Sequence, residues 1–216
     1  MRARQKADRN RRILEAATAL FREVGYDAAR IEDIALRAEV SVGTFYNYYA
    51  NKGDILVATV SMEVEEVLDA GRSVVDNPPP SVAESIHALV SCYYDHSLVY
   101  LSKAMWRTAM AISIQQPESP FSRRYTELDG RLCDQVSSLM EHLQGRGTIR
   151  MGLDAAALGQ MVFNNLNMMF IEFVKDEEMT IGALKAAVAR QNAPLAALVT
   201  ADPGSPGPFS TGRTSA

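Results

Sequence analysis

Two cysteines in 216 residues, Cys92 and Cys133, are too few and too far apart for a disulfide framework or a zinc ribbon. Reduced thiols within packed helices are expected. Histidine is equally scarce: His87, His96 and His142 form no HExxH pattern and no Ser/His/Asp arrangement, and no glycine-rich nucleotide loop accompanies them. Neither an enzyme nor a cofactor is expected. Long apolar runs are missing too, since none approaches the roughly 18 uncharged residues of a membrane span. The opening "MRARQKADRNRR" lacks the apolar segment of a secretory signal, so a cytoplasmic protein without a membrane partner is expected. Strand-like alternation and internal repeats are absent.

What is present is 47% apolar residues, enough for a substantial core. The formal net charge of −4 conceals an asymmetry: residues 1–56 carry ten Lys/Arg against eight Asp/Glu, and the remainder carries twelve against eighteen. Six of those ten bases (Arg2, Arg4, Lys6, Arg9, Arg11, Arg12) lie in the first twelve residues. They read either as a basic arm for a polyanion or as a solvated terminus.

Helical spacing of Ile13, Ala17, Leu20, Phe21 and Val24, stopped by Gly25, predicts a helix over 9–24. Ile31, Ile34, Ala35 and Ala38 predict a short second helix. Ser41 is a good N-cap for a third over 42–49, and Asn51 for a long fourth running to about Val75, with Asp54 near its positive end. "DNPPPS", residues 76–81, breaks that helix. Further helical stretches are expected over 81–116 (two helices with a bend), 121–144, 154–175 and 180–200, the last kinked or divided by Pro194. The expected organisation is a helix-turn-helix domain over 1–50, a connecting helix over 51–75, a helical body over 76–201 and a disordered Pro/Gly/Ser-rich tail over 202–216.

The stretch "VSVGTFYNYYANKGDIL" holds four aromatic rings in five residues, Phe45, Tyr46, Tyr48 and Tyr49. On a helix from Val42, the residues Val42, Phe45 and Tyr49 share one side, and Gly43, Tyr46 and Asn47 the other. Phe45 and Tyr49 are therefore expected inside, with the hydroxyls of Thr44, Tyr46 and Tyr48 outside and Gly43 allowing close approach of a partner. Such an edge suits phosphate oxygens and base edges in a major groove. The helical hairpin by itself would equally suit a protein-interaction module.

The run from Arg11 to Leu56 resembles the N-terminal domain of the TetR family of bacterial transcriptional regulators. The resemblance rests on Ile13, Ala16, Ala17, Leu20, Phe21, Gly25, Ile34, Ala35, Ala38, Val40, Ser41, Gly43, Thr44, Tyr46, Tyr48, Lys52 and Leu56. It implies an all-α fold: a three-helix DNA-binding head with a helix-turn-helix, a long connecting helix, and a helical ligand-binding and dimerisation body. It also implies repression from a double-stranded, palindromic DNA operator, relieved by a small-molecule effector. By position, Thr44, Tyr46, Tyr48 and Lys52 are similar to the family's backbone and base contacts, while Val42 and Asn47 occupy its sequence-reading places. Where the family commonly places threonine, this chain reads Ala29, Arg30, Ile31, and Arg30 is expected to offer phosphate a charged contact instead.

In the body, His87, Tyr93, His96, Tyr100, Trp106, Met110, Phe163, Asn164, Asn167 and Met168 are the candidates for a pocket holding a largely apolar or aromatic effector. Individually, such side chains more often belong to the core. Cys92, Asp95 and His96 lie close enough in sequence to suggest a metal-responsive sensor, although a packed thiol beside a hydrogen-bonded histidine is the simpler account and no metal is expected. The resemblance further implies a homodimer through the last two long helices.

Overall fold

A computed structural model of the chain describes residues 2–201 and contains nine helices among them. They are α1 (Arg2–Val24), α2 (Ile31–Arg37), α3 (Val42–Tyr46), α4 (Lys52–Asp76), α5 (Val82–His96), α6 (Lys103–Gln115), α7 (Pro120–Gly145), α8 (Ala155–Lys175) and α9 (Ile181–Val199). No strand occurs among the described residues; a lone bridge pairs Ile149 with Thr200. The tail over 202–216 lies outside them. Among the described residues, no helix is long and apolar enough to cross a membrane.

Local chemistry explains most helix starts. A side-chain oxygen of Ser41, Asn51, Ser81, Ser102, Ser119, Asp154 or Thr180 accepts a backbone N–H of the helix it precedes. At α4 the arrangement is doubled: Asp54 N–H donates to Asn51 at 3.0 Å and Ala50 N–H to Asp54 at 2.8 Å. α2 is the exception. Its N-cap is Arg30, whose side chain makes no capping hydrogen bond, and Glu32 and Asp33 in the first turn offset the helix dipole instead.

Three helix boundaries differ from the sequence reading. α1 begins at Arg2 rather than residue 9, and ion pairs among Asp8, Arg11, Arg12 and Glu15 link its successive turns further along. α3 ends at Tyr46 rather than 49, with Tyr48 N–H and Tyr49 N–H both turned back to the Phe45 carbonyl. α9 runs past Pro194 undivided: the proline is exposed, and the helix continues around it to Val199.

Helices α1 to α3 close around Ile13, Ala17, Phe21, Ile34, Ala35, Phe45 and Tyr49, and α4 adds Ile55 and Leu56 from below. Ile13, Ala17, Ile34, Phe45, Ile55 and Leu56 are fully buried. The α2–α3 turn carries Glu39 at φ 54°, a left-handed conformation that glycine would adopt with less strain. Arg12 steadies it, donating to the Ala38 carbonyl at 3.0 Å.

In the body, α7 runs between α4 and α8, while α5 packs on α4 and α9. Two glycines set the spacing. A Cβ on Gly159 would stand 2.3 Å from Ser137 Cα, so α8 meets the backbone of α7 directly. A Cβ on Gly71 would strike Gln135 Oε1 at 2.4 Å. The space it leaves lets Gln135 donate to the Leu68 carbonyl and accept from the Tyr93 hydroxyl, at 2.8 and 2.7 Å.

Candidate DNA-reading face and body cavity

α3 divides its rings by facing. Phe45 and Tyr49 point inward, and the Tyr49 hydroxyl donates to Asn10 at 2.8 Å. Tyr46, 52% exposed, and Val42, 37% exposed, point outward beside Gly43 and Asn47. Val42 thus leaves the side that helical spacing shares between it and Phe45: with only five residues in α3, its first turn projects beyond the core. Thr44 and Tyr48 are half-buried. The Thr44 hydroxyl shares a 2.9 Å hydrogen bond with Ser41, and the Tyr48 hydroxyl reaches the Lys6 carbonyl of α1 at 3.3 Å.

That approach of α1 brings in residues that the sequence marks only as a charged run. Gln5, Lys6 and Arg9 line a shallow groove with Thr44, Asn47 and Tyr48. Lys6 and Arg9 are exposed and make no ion pair among the described residues, so their charge is available to an anion. The helical continuation of α1 is what turns the basic arm toward α3. Arg30 stands apart on the surface, 3.8 Å from Glu32.

Lys52 occupies a different place from the one its motif position suggests. Its ammonium donates to the carbonyls of Tyr26 and Asp27 at 2.8 and 2.9 Å and lies 4.9 Å from the centre of the Tyr26 ring. It clamps the α1–α2 connection to the start of α4, with its charge directed at the protein itself.

The body holds a partly open cavity of about 70 Å³ between α4, α5, α6, α7 and α8. Of the sequence candidates, Tyr93, Trp106, Phe163 and Asn167 line it. His87 opens instead onto a groove between α5 and α9. Met110 packs against the core without reaching the cavity, and Asn164 and Met168 are exposed on the outer face of α8. The reason is helical pitch: one residue rotates the side chain by about 100°, so Phe163 and Asn167 face inward while Asn164 and Met168 do not.

The cavity also receives Tyr94 and Phe170, together with Glu63, Ser97, Tyr125, Leu128 and Asp129, and none of these last five is a sequence candidate. Tyr94 donates to the Leu166 carbonyl at 2.7 Å, and the Trp106 indole to the Ser97 carbonyl at 2.7 Å. Asp129 is half-buried and accepts no hydrogen bond among the described residues, and desolvation pushes its carboxyl up to about 6.

His96 and Tyr100 stand behind the cavity wall and link it to the head. His96 joins Glu63 at 2.6 Å and Glu66 at 2.9 Å; Tyr100 reaches Glu63 through its backbone N–H at 3.3 Å and Glu66 through its hydroxyl at 2.8 Å. Burial opposes charge on His96, but the two carboxylates outweigh it and raise the imidazole pKa. From the same α5–α6 loop, the carbonyls of Leu98 and Val99 accept from Arg22 near the end of α1. The candidate metal ligands part company here. Cys92 lies against the Val67 carbonyl, Asp95 pairs with Lys185 at 2.8 Å, and His96 turns to its glutamates.

The family profile described as bacterial regulatory proteins, tetR family, matches residues 13–59, which span the buried head, the α2–α3 turn and the start of α4. Residues 13–59 thus match the N-terminal domain of the TetR family. TetR-family proteins are DNA-binding regulators rather than enzymes. The chain is 39% identical over 72 residues to the transcriptional repressor KstR of Rhodococcus jostii, covering 33% of this chain and 32% of that protein. It therefore spans about a third of the length of that relative. It is 24% identical over 192 residues to the fatty acid metabolism regulator protein of Bacillus subtilis, covering 86% of this chain and 94% of the relative. The crystal structure of Thermus thermophilus FadR, a TetR-family repressor in complex with lauroyl-CoA, shares the fold at a TM-score of 0.65 and 21% identity, over 92% of this chain and 99% of the other. The fold of that protein, a helix-turn-helix head on a helical body, is thus present here.

Proposed function

We propose that this chain is a ligand-responsive transcriptional repressor of the TetR family that binds a palindromic operator as a homodimer and leaves it when a small, largely apolar or aromatic effector enters the cavity. The carrying observation is continuity. Glu63 lines the cavity and holds His96 and Tyr100, whose loop gives two carbonyls to Arg22 of the head. An effector that displaces Glu63 or Trp106 disturbs the only hydrogen bonds from the α5–α6 loop to α1 among the described residues. The equilibrium shifts only as far as the effector prefers one arrangement over the other.

In this reading Val42, Gly43, Tyr46 and Asn47 meet base edges, while Thr44, Tyr48, Arg30, Lys6 and Arg9 meet phosphates. Lys52 acts by positioning the α1–α2 connection. The head takes in residues 1–50, α4 connects, and residues 76–201 sense and dimerise in the cytoplasm. Exposed Met161, Asn164 and Met168 recur at i, i+3 and i+7 along α8, and Leu198 is exposed on α9, a stripe suited to a four-helix contact with a second copy. The names of the Bacillus and Thermus proteins make acyl chains a natural first class to screen.

Selection of bound duplexes from random DNA tests the reading. Inverted repeats with half-sites about one helical turn apart, roughly 34 Å, are expected. Failure to enrich any duplex at low salt would overturn it.

A further inference from the structure

The cavity's walls carry more information than their apolarity. Six rings line it: Tyr93, Tyr94, Trp106, Tyr125, Phe163 and Phe170. Its two charged residues, Glu63 and Asp129, are both acidic, and no lysine or arginine lines it. Glu63 is committed, one oxygen to His96 and the other to the Tyr100 N–H. The lining groups left without partners among the described residues are the Asp129 carboxylate, the Tyr125 hydroxyl one helical turn before it on α7, and the Asn167 amide across on α8. Aromatic faces attract a cation through their quadrupoles, and a desolvated carboxylate is stabilised by the same charge. An anionic head group would meet two acidic side chains with nothing to neutralise it.

We infer that the cavity selects an organic cation, an apolar or aromatic body bearing an ammonium group that is seated against Asp129 and the surrounding rings. The inference rests on the cavity being the effector site, and it names the chemistry of the effector there. An aromatic body meets Phe163, Phe170 and Trp106, while the ammonium reaches the carboxylate that the fold leaves unpaired. A carboxylic acid of the same shape is excluded by charge.

Trp106 is the chain's single tryptophan and lies in the cavity wall, so its emission reports occupancy without DNA. The test titrates the full-length protein with benzyltrimethylammonium, with its neutral isostere neopentylbenzene, with phenylacetate and with lauroyl-CoA. The cation is expected to bind roughly tenfold or more tightly than the neutral isostere, and phenylacetate more weakly still. Asp129→Asn is expected to erase the preference while leaving neopentylbenzene affinity unchanged, which also certifies an intact cavity. Equal affinity for cation and isostere, tighter binding of phenylacetate, absence of binding by the cation, or a preference that survives in Asp129→Asn would each overturn the inference. Operator release is read separately. If lauroyl-CoA both quenches Trp106 and releases DNA with no preference for the cation, only the ammonium assignment fails. If the cation binds with the expected preference but DNA stays bound, the effector reading fails and the cation site stands.

Discussion

The head and the body use aromatic residues in opposite ways. Around α3, four rings in five residues separate into an inner pair, Phe45 and Tyr49, and outer phenols that meet solvent or a neighbouring helix. Around the cavity, rings from α5, α6, α7 and α8 face one another across a gap. Close packing in the head fixes a shape to be presented, whereas loose packing in the body leaves room for something to enter. Recognition of a fixed duplex rewards rigidity, and response to an effector requires two arrangements of similar free energy.

The strongest attack on this contrast is Phe45→Ala. Removing a fully buried ring costs about 3–5 kcal/mol, so DNA binding should vanish in a gel-shift titration while Trp106 still reports cavity binding. Simultaneous disappearance of both would show that head and body do not unfold separately. Next comes Asp129→Asn. A carboxyl whose folded pKa lies near 6 binds protons more readily in the folded than in the unfolded chain, so its contribution to stability declines as pH rises from about 4 through about 6. Around pH 7 the asparagine variant should be more stable than wild type by about 1–3 kcal/mol, with the difference shrinking toward pH 4. Urea melts across that window would reveal a flat difference if Asp129 were well solvated.

Arg22→Ala probes the joint between the two regions. It should leave effector binding at Trp106 intact but weaken the coupling between effector and operator by about 1–2 kcal/mol, or roughly 5- to 30-fold. Unchanged coupling would remove the α5–α6 loop from the route. The smallest effect separates two lysines. Lys6→Ala should flatten the slope of log affinity against log salt by about 0.9 for each operator phosphate it ceases to neutralise. Lys52→Ala should lower the melting temperature of the head without changing that slope.

Much of the head is legible in the sequence because its determinants are local. Ser41 and Asn51 cap the helices that follow them, Gly25 adopts φ 85° after α1, and the inner rings of α3 obey helical spacing. The role of Lys52 is not legible, since a motif position specifies a residue and its backbone, while the direction of a four-carbon side chain depends on carbonyls 25 and 26 residues away. In the body, helix extents can be read but their rotations cannot. Which of Phe163, Asn164, Asn167 and Met168 faces the cavity depends on α8's register against α7, set where Gly159 meets Ser137. Asp129 gives no signal in the sequence because an aspartate in a charged helix ordinarily faces water, and its partial burial at the cavity wall emerges only once five helices are assembled around it.

The backbone approach at Gly159 has a further bearing on a symmetric regulator. With backbone against backbone, α7 and α8 have no compressible layer of side chains between them there, so a small motion of one is passed to the other undiminished. α7 lines the chamber and α8 carries the stripe offered to a twin, so in the proposed homodimer a guest in one subunit is felt by both.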